Sequence, residues 1–227
     1  MLPIRIDVKT RGLPLITVFF IFLCTALYIV RFPQLIPGGV VPLDFVYSLL
    51  HPETGIVSSV FVLLASFFLH GSIIHLVGNM WYLWLFGSTL ERHIGFRSFL
   101  PVYFLSGTAA MLTQIANDPL STIPIIGASG AIAGVMGTYL ILLPFTKIVF
   151  GLPPVFSFRL PAALFLLFWF WLQWSNVGTI QQTSCRIAWW AHIGGFCFGI
   201  AAGIVLRISS LPDPSPKKKN LKHRIAR

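Results

Sequence analysis

Apolar residues along the chain gather into six long runs, at residues 13–32, 72–90, 98–117, 127–145, 160–176 and 188–207. Each approaches the roughly 20 residues that an α-helix needs to cross a hydrocarbon layer of about 30 Å. The pattern predicts an all-α membrane protein built as a bundle of six transmembrane helices. Most connections between the runs are short, and residues 33 to 71 are the exception. That segment opens with PQLIPGGVVP, whose prolines and glycines predict irregular chain. It turns apolar again over IVSSVFVLLASFFL, residues 56–69. This second stretch is too short to span and suits an interfacial or re-entrant position, which makes a long, partly membrane-embedded first loop. No internal repeat of the transporter kind divides the runs. The expected layout is an N-terminal segment 1–12, a transmembrane domain 13–207 and a basic tail 208–227.

Composition supports the membrane reading. Of 227 residues, 56% are hydrophobic and 10% charged, with a mean hydropathy of +0.84, whereas soluble domains carry about 25% charged residues. A net charge of +10 would admit nucleic acid as a partner, but its placement argues otherwise. In a six-span topology every Lys and Arg except Arg31 and Arg186 falls on one side. By the positive-inside rule both termini are then cytoplasmic. The tail lysines, Lys217, Lys218, Lys219 and Lys222, meet anionic lipid rather than nucleic acid. The basic start followed by an apolar run imitates a secretory signal, yet Arg31-Phe32-Pro33 offers no small-residue cleavage site, and an uncleaved signal anchor is expected. With no transit peptide in view, the expected location is a bacterial inner membrane. Three cysteines make no disulfide framework: Cys24 and Cys197 read as packing residues, and Cys185 as unpaired in an outer loop.

Polar residues inside the runs carry the candidate chemistry. The fourth run begins GASGAIAG, residues 127–134, which places the Ser129 hydroxyl among small residues at a helix start. Backbone N–H groups there lack intrahelical partners and favour developing negative charge. In the second run His75 and Asn79 are four apart and share one helix face, with His70 and Ser72 just before them. In the sixth run, AWWAHIGGFCFGIAAG, His192 precedes Gly195, Gly199 and Gly203, a double GxxxG ridge that can nest against the small face of the fourth. Each feature alone is open to a plainer reading as helix packing or interhelical hydrogen bonding. Their common depth argues against that. The second, fourth and sixth runs share a direction, so His75, Asn79, Ser129 and His192 lie within about 3 to 12 Å of the same end. Chemically, His192 can take the proton of Ser129, and Asn79, His75 and the Ser129 backbone N–H can hold an oxyanion. No carboxylate lies at that depth, so the arrangement is a dyad. Elsewhere, Glu91, Arg92 and His93 close the second run in a structural role. The aromatics of the fifth run, Phe165, Phe168, Trp169, Phe170, Trp171 and Trp174, read as lipid contact and an interfacial belt.

These residues resemble the rhomboid family of intramembrane serine proteases: His75 and Asn79 in HLVGN, Ser129 in GASG, and His192 in AHIGG followed by Gly199. The resemblance covers residues 56 to 206. It implies a six-helix fold and cleavage of a transmembrane segment near the outer leaflet. It gives Ser129 as nucleophile, His192 as base and His75 and Asn79 as oxyanion-hole residues, with no cofactor and no metal. It also implies single-pass membrane proteins as substrates, entering past the fifth helix, and a first loop lying in the bilayer. Two departures stand out. Phe61-Val62 occupies the place of a Trp-Arg pair found in some members, and Ala133 the place of an aromatic that stacks under the histidine in many. Trp189 or Trp190 is then expected to orient His192.

Two other readings compete. A non-catalytic relative that binds membrane helices needs neither Ser129 nor His192. A proton-coupled carrier built on His75 and His192 needs charged midplane residues and paired half-spans, which the sequence lacks. Neither the oligomeric state nor the physiological substrate has a signature in the sequence.

Overall fold

The computed structural model describes residues 3–8, 12–30, 38–152, 156–179 and 187–210. Lys9, Arg11, Arg31, residues 33–37 of the proline-rich segment, Cys185, Arg186 and the tail from 211 onward lie outside the described residues.

A strand β1, Pro3–Asp7, precedes helix α1, Leu15–Ile29. The first turn of α1 has no side-chain cap of its own. Its orphan amides are met from elsewhere: the buried carboxylate of Glu91 accepts from Ile16 N at 2.9 Å and Thr17 N at 2.8 Å. Glu91 sits 74 and 75 residues away in sequence, so the expected structural role takes the form of a long-range helix cap. Replacing Glu91 with Ala leaves one buried and one part-buried donor unpaired. It is expected to lower stability by about 3 kcal/mol, read by thermal unfolding in detergent.

The long first connection contains α2, Pro42–Leu50, with Pro42 in its first turn, and α3, Ile56–Ser66. Val57, Val60 and Phe61 of α3 are exposed, an apolar face turned away from the bundle. Next, α4 (Ile73–Tyr82), a π-helical turn (Leu83–Gly87) and α5 (Ser88–Ile94) run on without a break. Ser72 caps α4 by accepting from His75 N. Beyond them lie α6, Phe96–Asn117, and α7, Ser129–Leu142. Helices α8, Ala162–Ser175, and α9, Trp189–Ser209, complete the order among the described residues. Among the described residues, two helices, α6 and α9, are long and apolar enough to cross a membrane, and α1, α3, α7 and α8 are shorter apolar helices.

The expectation of a purely helical protein needs correction. Residues Lys147–Leu152 form β2 and Phe156–Pro161 form β3, an antiparallel hairpin, and β1 pairs with the outer edge of β2. Asp7 joins the sheet's two ends through Arg5 Nε at 3.2 Å and Arg159 Nε at 3.1 Å. Six-residue strands inside apolar sequence carry no period long enough to separate them from the ends of helical runs.

Helix α7 occupies the centre, and every residue from Gly130 to Tyr139 is buried. It packs parallel to α9. A Cβ on Gly195 would strike Gly130 O, one on Gly199 would strike Gly134 O, and one on Gly137 would strike Phe196 O. Contact of this kind requires glycine on both helices, and Thr138 Oγ1 seals it with a 2.9 Å bond to Gly199 O. An aromatic cluster fills the far side, where Phe20 lies 4.6 Å from Tyr103 and 5.3 Å from Phe68 between ring centroids. Cys24 is buried in the core, whereas Cys197 is exposed on α9.

Candidate active site

Ser129 is the first residue of α7, preceded by Ala128, which offers no side-chain cap. The turn leading into it is fixed by two tethers. Val40 and Ile125 exchange backbone bonds of 2.9 and 2.8 Å, and Gly127 N donates to Ser66 O at 2.9 Å. Gly127 has φ +120°, a conformation open to glycine and costly for other residues. It also has no space: a Cβ there would lie 2.8 Å from His75 Nε2 and 3.7 Å from Asn79 Nδ2. The glycine therefore lets the imidazole and the carboxamide of α4 approach the turn that carries Ser129.

Both α4 groups retain hydrogen-bonding capacity. Asn79 is buried, yet its Nδ2 has no partner among the described residues, and the same holds for His75 Nδ1. His70 is buried with its ring centroid 5.1 Å from that of His75 and edge-on to it. A pocket of about 20 Å³ opens beside Ser129, lined by Phe67, Gly107, Ala110, Met111, Ile126 and Gly130 among others. None of His70, Ser72, His75 and Asn79 belongs to its walls. The pocket therefore lies on the α6 side of the serine, where small residues leave room.

His192 lies in the first turn of α9, at the same end of the bundle. Its chain neighbour Ala191 is beside Ser129's neighbour: a Cβ on Gly130 would stand 3.7 Å from Ala191 O. Among the described residues, Ser129 Oγ makes no hydrogen bond, and the His192 ring bonds elsewhere. Its Nδ1 is 2.7 Å from Gln173 Oε1 of α8. The ring is flanked by Trp169 at 5.8 Å and Trp189 at 6.1 Å. Trp190 packs against Trp174 instead. Ala133, in the place of the stacking aromatic, is fully buried in the α7 core.

The structure thus gathers His75, Asn79 and the Gly127 turn on one side of Ser129 and brings His192 to the adjacent helix start. Gln173 is the residue that sequence reasoning missed. Its signal was present: it is the only carboxamide within LFLLFWFWLQW, and a polar group in such a run faces a partner.

Residues 57–209 match the sequence model of the Rhomboid domain. The chain is similar to Rhomboid protein 1, mitochondrial, of Saccharomyces cerevisiae, with 31% identity over 156 residues, 65% of this chain and 42% of that protein. It is similar to Presenilin-associated rhomboid-like protein, mitochondrial, of Mus musculus, with 29% identity over 148 residues, 61% of this chain and 36% of that one. RHOMBOID-like protein 5 of Arabidopsis thaliana is 29% identical over 144 residues, 63% of this chain and 43% of the plant protein. The chain spans less than half the length of these curated relatives. Two of them are named as mitochondrial and the third is from a plant, which overturns the expectation of a bacterial inner membrane. The physical reason is that charge asymmetry orients a chain across a bilayer without distinguishing one bilayer from another.

Proposed function

The chain belongs to the rhomboid family, whose members are intramembrane proteases, and on that premise we propose that it is a serine endopeptidase acting through a Ser129–His192 dyad. The reading includes six membrane-crossing helices: α1, the α4–α5 rod, α6, α7, α8 and α9. It places α2 and α3 as a first loop in contact with lipid, with residues 1–12 and 208–227 flanking the domain. Its substrates are transmembrane segments of single-pass proteins, cut near the leaflet where α4, α7 and α9 begin.

The chemistry follows from the donors and acceptors around Ser129. Oγ attacks the scissile carbonyl carbon while His192 Nε2 accepts its proton. Negative charge moves to the carbonyl oxygen and is met by Asn79 Nδ2, a ring N–H of His75 and the Ser129 backbone N–H. His192 then returns the proton to the leaving amine as the peptide C–N bond breaks, and an acyl-enzyme remains. Water attacks the ester with His192 again as base, releasing the carboxylate product and restoring Ser129. The observation that carries this reading is the convergence of Asn79 and His75, each with an unpartnered buried nitrogen, on the glycine turn beside Ser129.

The test treats purified protein with a fluorophosphonate probe and a single-pass substrate, then maps the adduct by peptide mass spectrometry. An adduct on Ser129 together with substrate cleavage is expected; cleavage with the adduct elsewhere overturns the dyad. Asn79→Ala is expected to reduce kcat by about 10²- to 10³-fold, the loss seen when one oxyanion donor is removed. KM should change little, because the lost bond forms only as charge develops.

A further inference from the structure

A serine–histidine dyad leaves one problem open: a neutral imidazole has two tautomers, and only the one with a bare Nε2 accepts a proton from Ser129. The residues around His192 address it. On α8, Phe168, Trp171 and Trp174 are all more than half exposed, turned outward, whereas Gln173 is 6% exposed. The helix turns Phe168, Trp171 and Trp174 outward and presents Gln173, with Trp169, to the interior.

That carboxamide is held at both ends. Gln173 Nε2 donates to Trp169 O at 3.1 Å, and Oε1 stands 2.7 Å from His192 Nδ1. Reversing the amide would set its oxygen against the Trp169 carbonyl, two acceptors face to face, so the backbone of α8 decides which end meets the ring. An amide oxygen accepts and cannot donate. The short contact consequently requires a hydrogen on Nδ1, which leaves Nε2 bare. When Nε2 takes the serine proton, the Nδ1–H bond persists and strengthens as a charge-assisted one, so no reorganisation is needed at the moment of reaction. The flanking Trp169 and Trp189 rings limit rotation about the same axis.

We propose that Gln173 is the positioning residue of this site: it holds His192 in the Nδ1–H tautomer and sets the plane of its ring, in the place a carboxylate takes in a triad. The inference rests on the dyad reading for its catalytic consequence, while the tautomer itself is measurable without turnover.

The test compares full-length wild type, Gln173→Leu and Gln173→Glu in detergent. Leu removes the acceptor at similar volume; Glu in its protonated form restores one, its O–H donating to Trp169 O in place of the amide N–H while its other oxygen accepts from Nδ1–H. Gln173→Leu is expected to lower kcat by about 10- to 100-fold with KM within about twofold, and Gln173→Glu to recover most of the loss. In ¹⁵N spectra of ring-labelled histidine, the His192 signal (assigned by its disappearance in His192→Gln) should show Nδ1 protonated and Nε2 bare in wild type and Gln173→Glu, and a shift toward Nε2–H in Gln173→Leu. An unchanged kcat and tautomer in Gln173→Leu overturns the proposal. So does a loss that follows a lower melting temperature and is not rescued by Glu, which marks Gln173 as a packing residue. If wild type fails to cleave any substrate, the dyad reading falls, and the ¹⁵N spectra alone decide whether Gln173 sets the tautomer.

Discussion

Ser129→Ala, His192→Ala and the double variant should all lose cleavage to one common floor, each by about 10⁴-fold or more. A nucleophile and its base act as a unit. Without the hydroxyl no acyl-enzyme forms, and without the imidazole the hydroxyl keeps its proton, so the second removal costs almost nothing after the first. The floor itself should stand above the uncatalysed rate, because Asn79, His75 and the helix start still face the scissile carbonyl. Stability separates the two single variants. Ser129 Oγ makes no hydrogen bond among the described residues, and alanine is the best helix former, so Ser129→Ala should unfold with wild type. His192→Ala strips Gln173 Oε1 of its partner in a buried position and should cost about 1–3 kcal/mol. The measurements are single-turnover cleavage of a single-pass substrate and thermal unfolding in detergent. Losses that multiply, with the double variant far below either single one, would show that the two side chains do not work together.

Gly199→Val should damage both fold and chemistry. A Cβ at 199 would lie 2.6 Å from the Gly134 carbonyl carbon and 2.7 Å from its Cα, distances that no side-chain adjustment relieves because the obstacle is backbone. Helices α7 and α9 must separate along the seam that carries Ser129 on one side and His192 on the other. Overpacking of a tight core costs about 1–3 kcal/mol, and valine at this seam belongs at the upper end. A shift of about 1 Å between reacting groups lowers the rate by about 10²-fold. Gly78→Ala is the control. It lies on α4 with nothing within 4 Å of its added Cβ, so it should leave activity intact and raise stability by about 0.5–1 kcal/mol. Melting temperature and kcat for the pair check the argument. Equal behaviour of the two variants would mean that the α7–α9 seam has room that the geometry denies.

Much of the site was legible before any coordinates. Placing Ser129 at a helix start needed only GASG before an apolar run, because small residues and the change of hydropathy mark that boundary locally. The parallel seam was legible as well: Gly130 and Gly134 on one run, and Gly195 and Gly199 on another, are the residues that backbone contact demands. His75 and Asn79 followed from their spacing on one face. Gln173 did not. Its lone amide marked a polar group in need of a partner, but the run is aromatic on every side, and only the packing of α8 on α9 chose that partner.

Local sequence, then, was enough for properties that depend on neighbours in the chain: where most of the helices form and which of their stretches are small. It was also enough to identify the family. Pairings across long intervals were settled by assembly. The Glu91 cap on α1, the docking of β1 on the β2–β3 hairpin, the pocket on the α6 side of Ser129 and the carboxamide on His192 each join residues whose separation erases any local period. Their partners become known once the helices have packed, because a buried donor or acceptor bonds with whatever group the packing brings within reach.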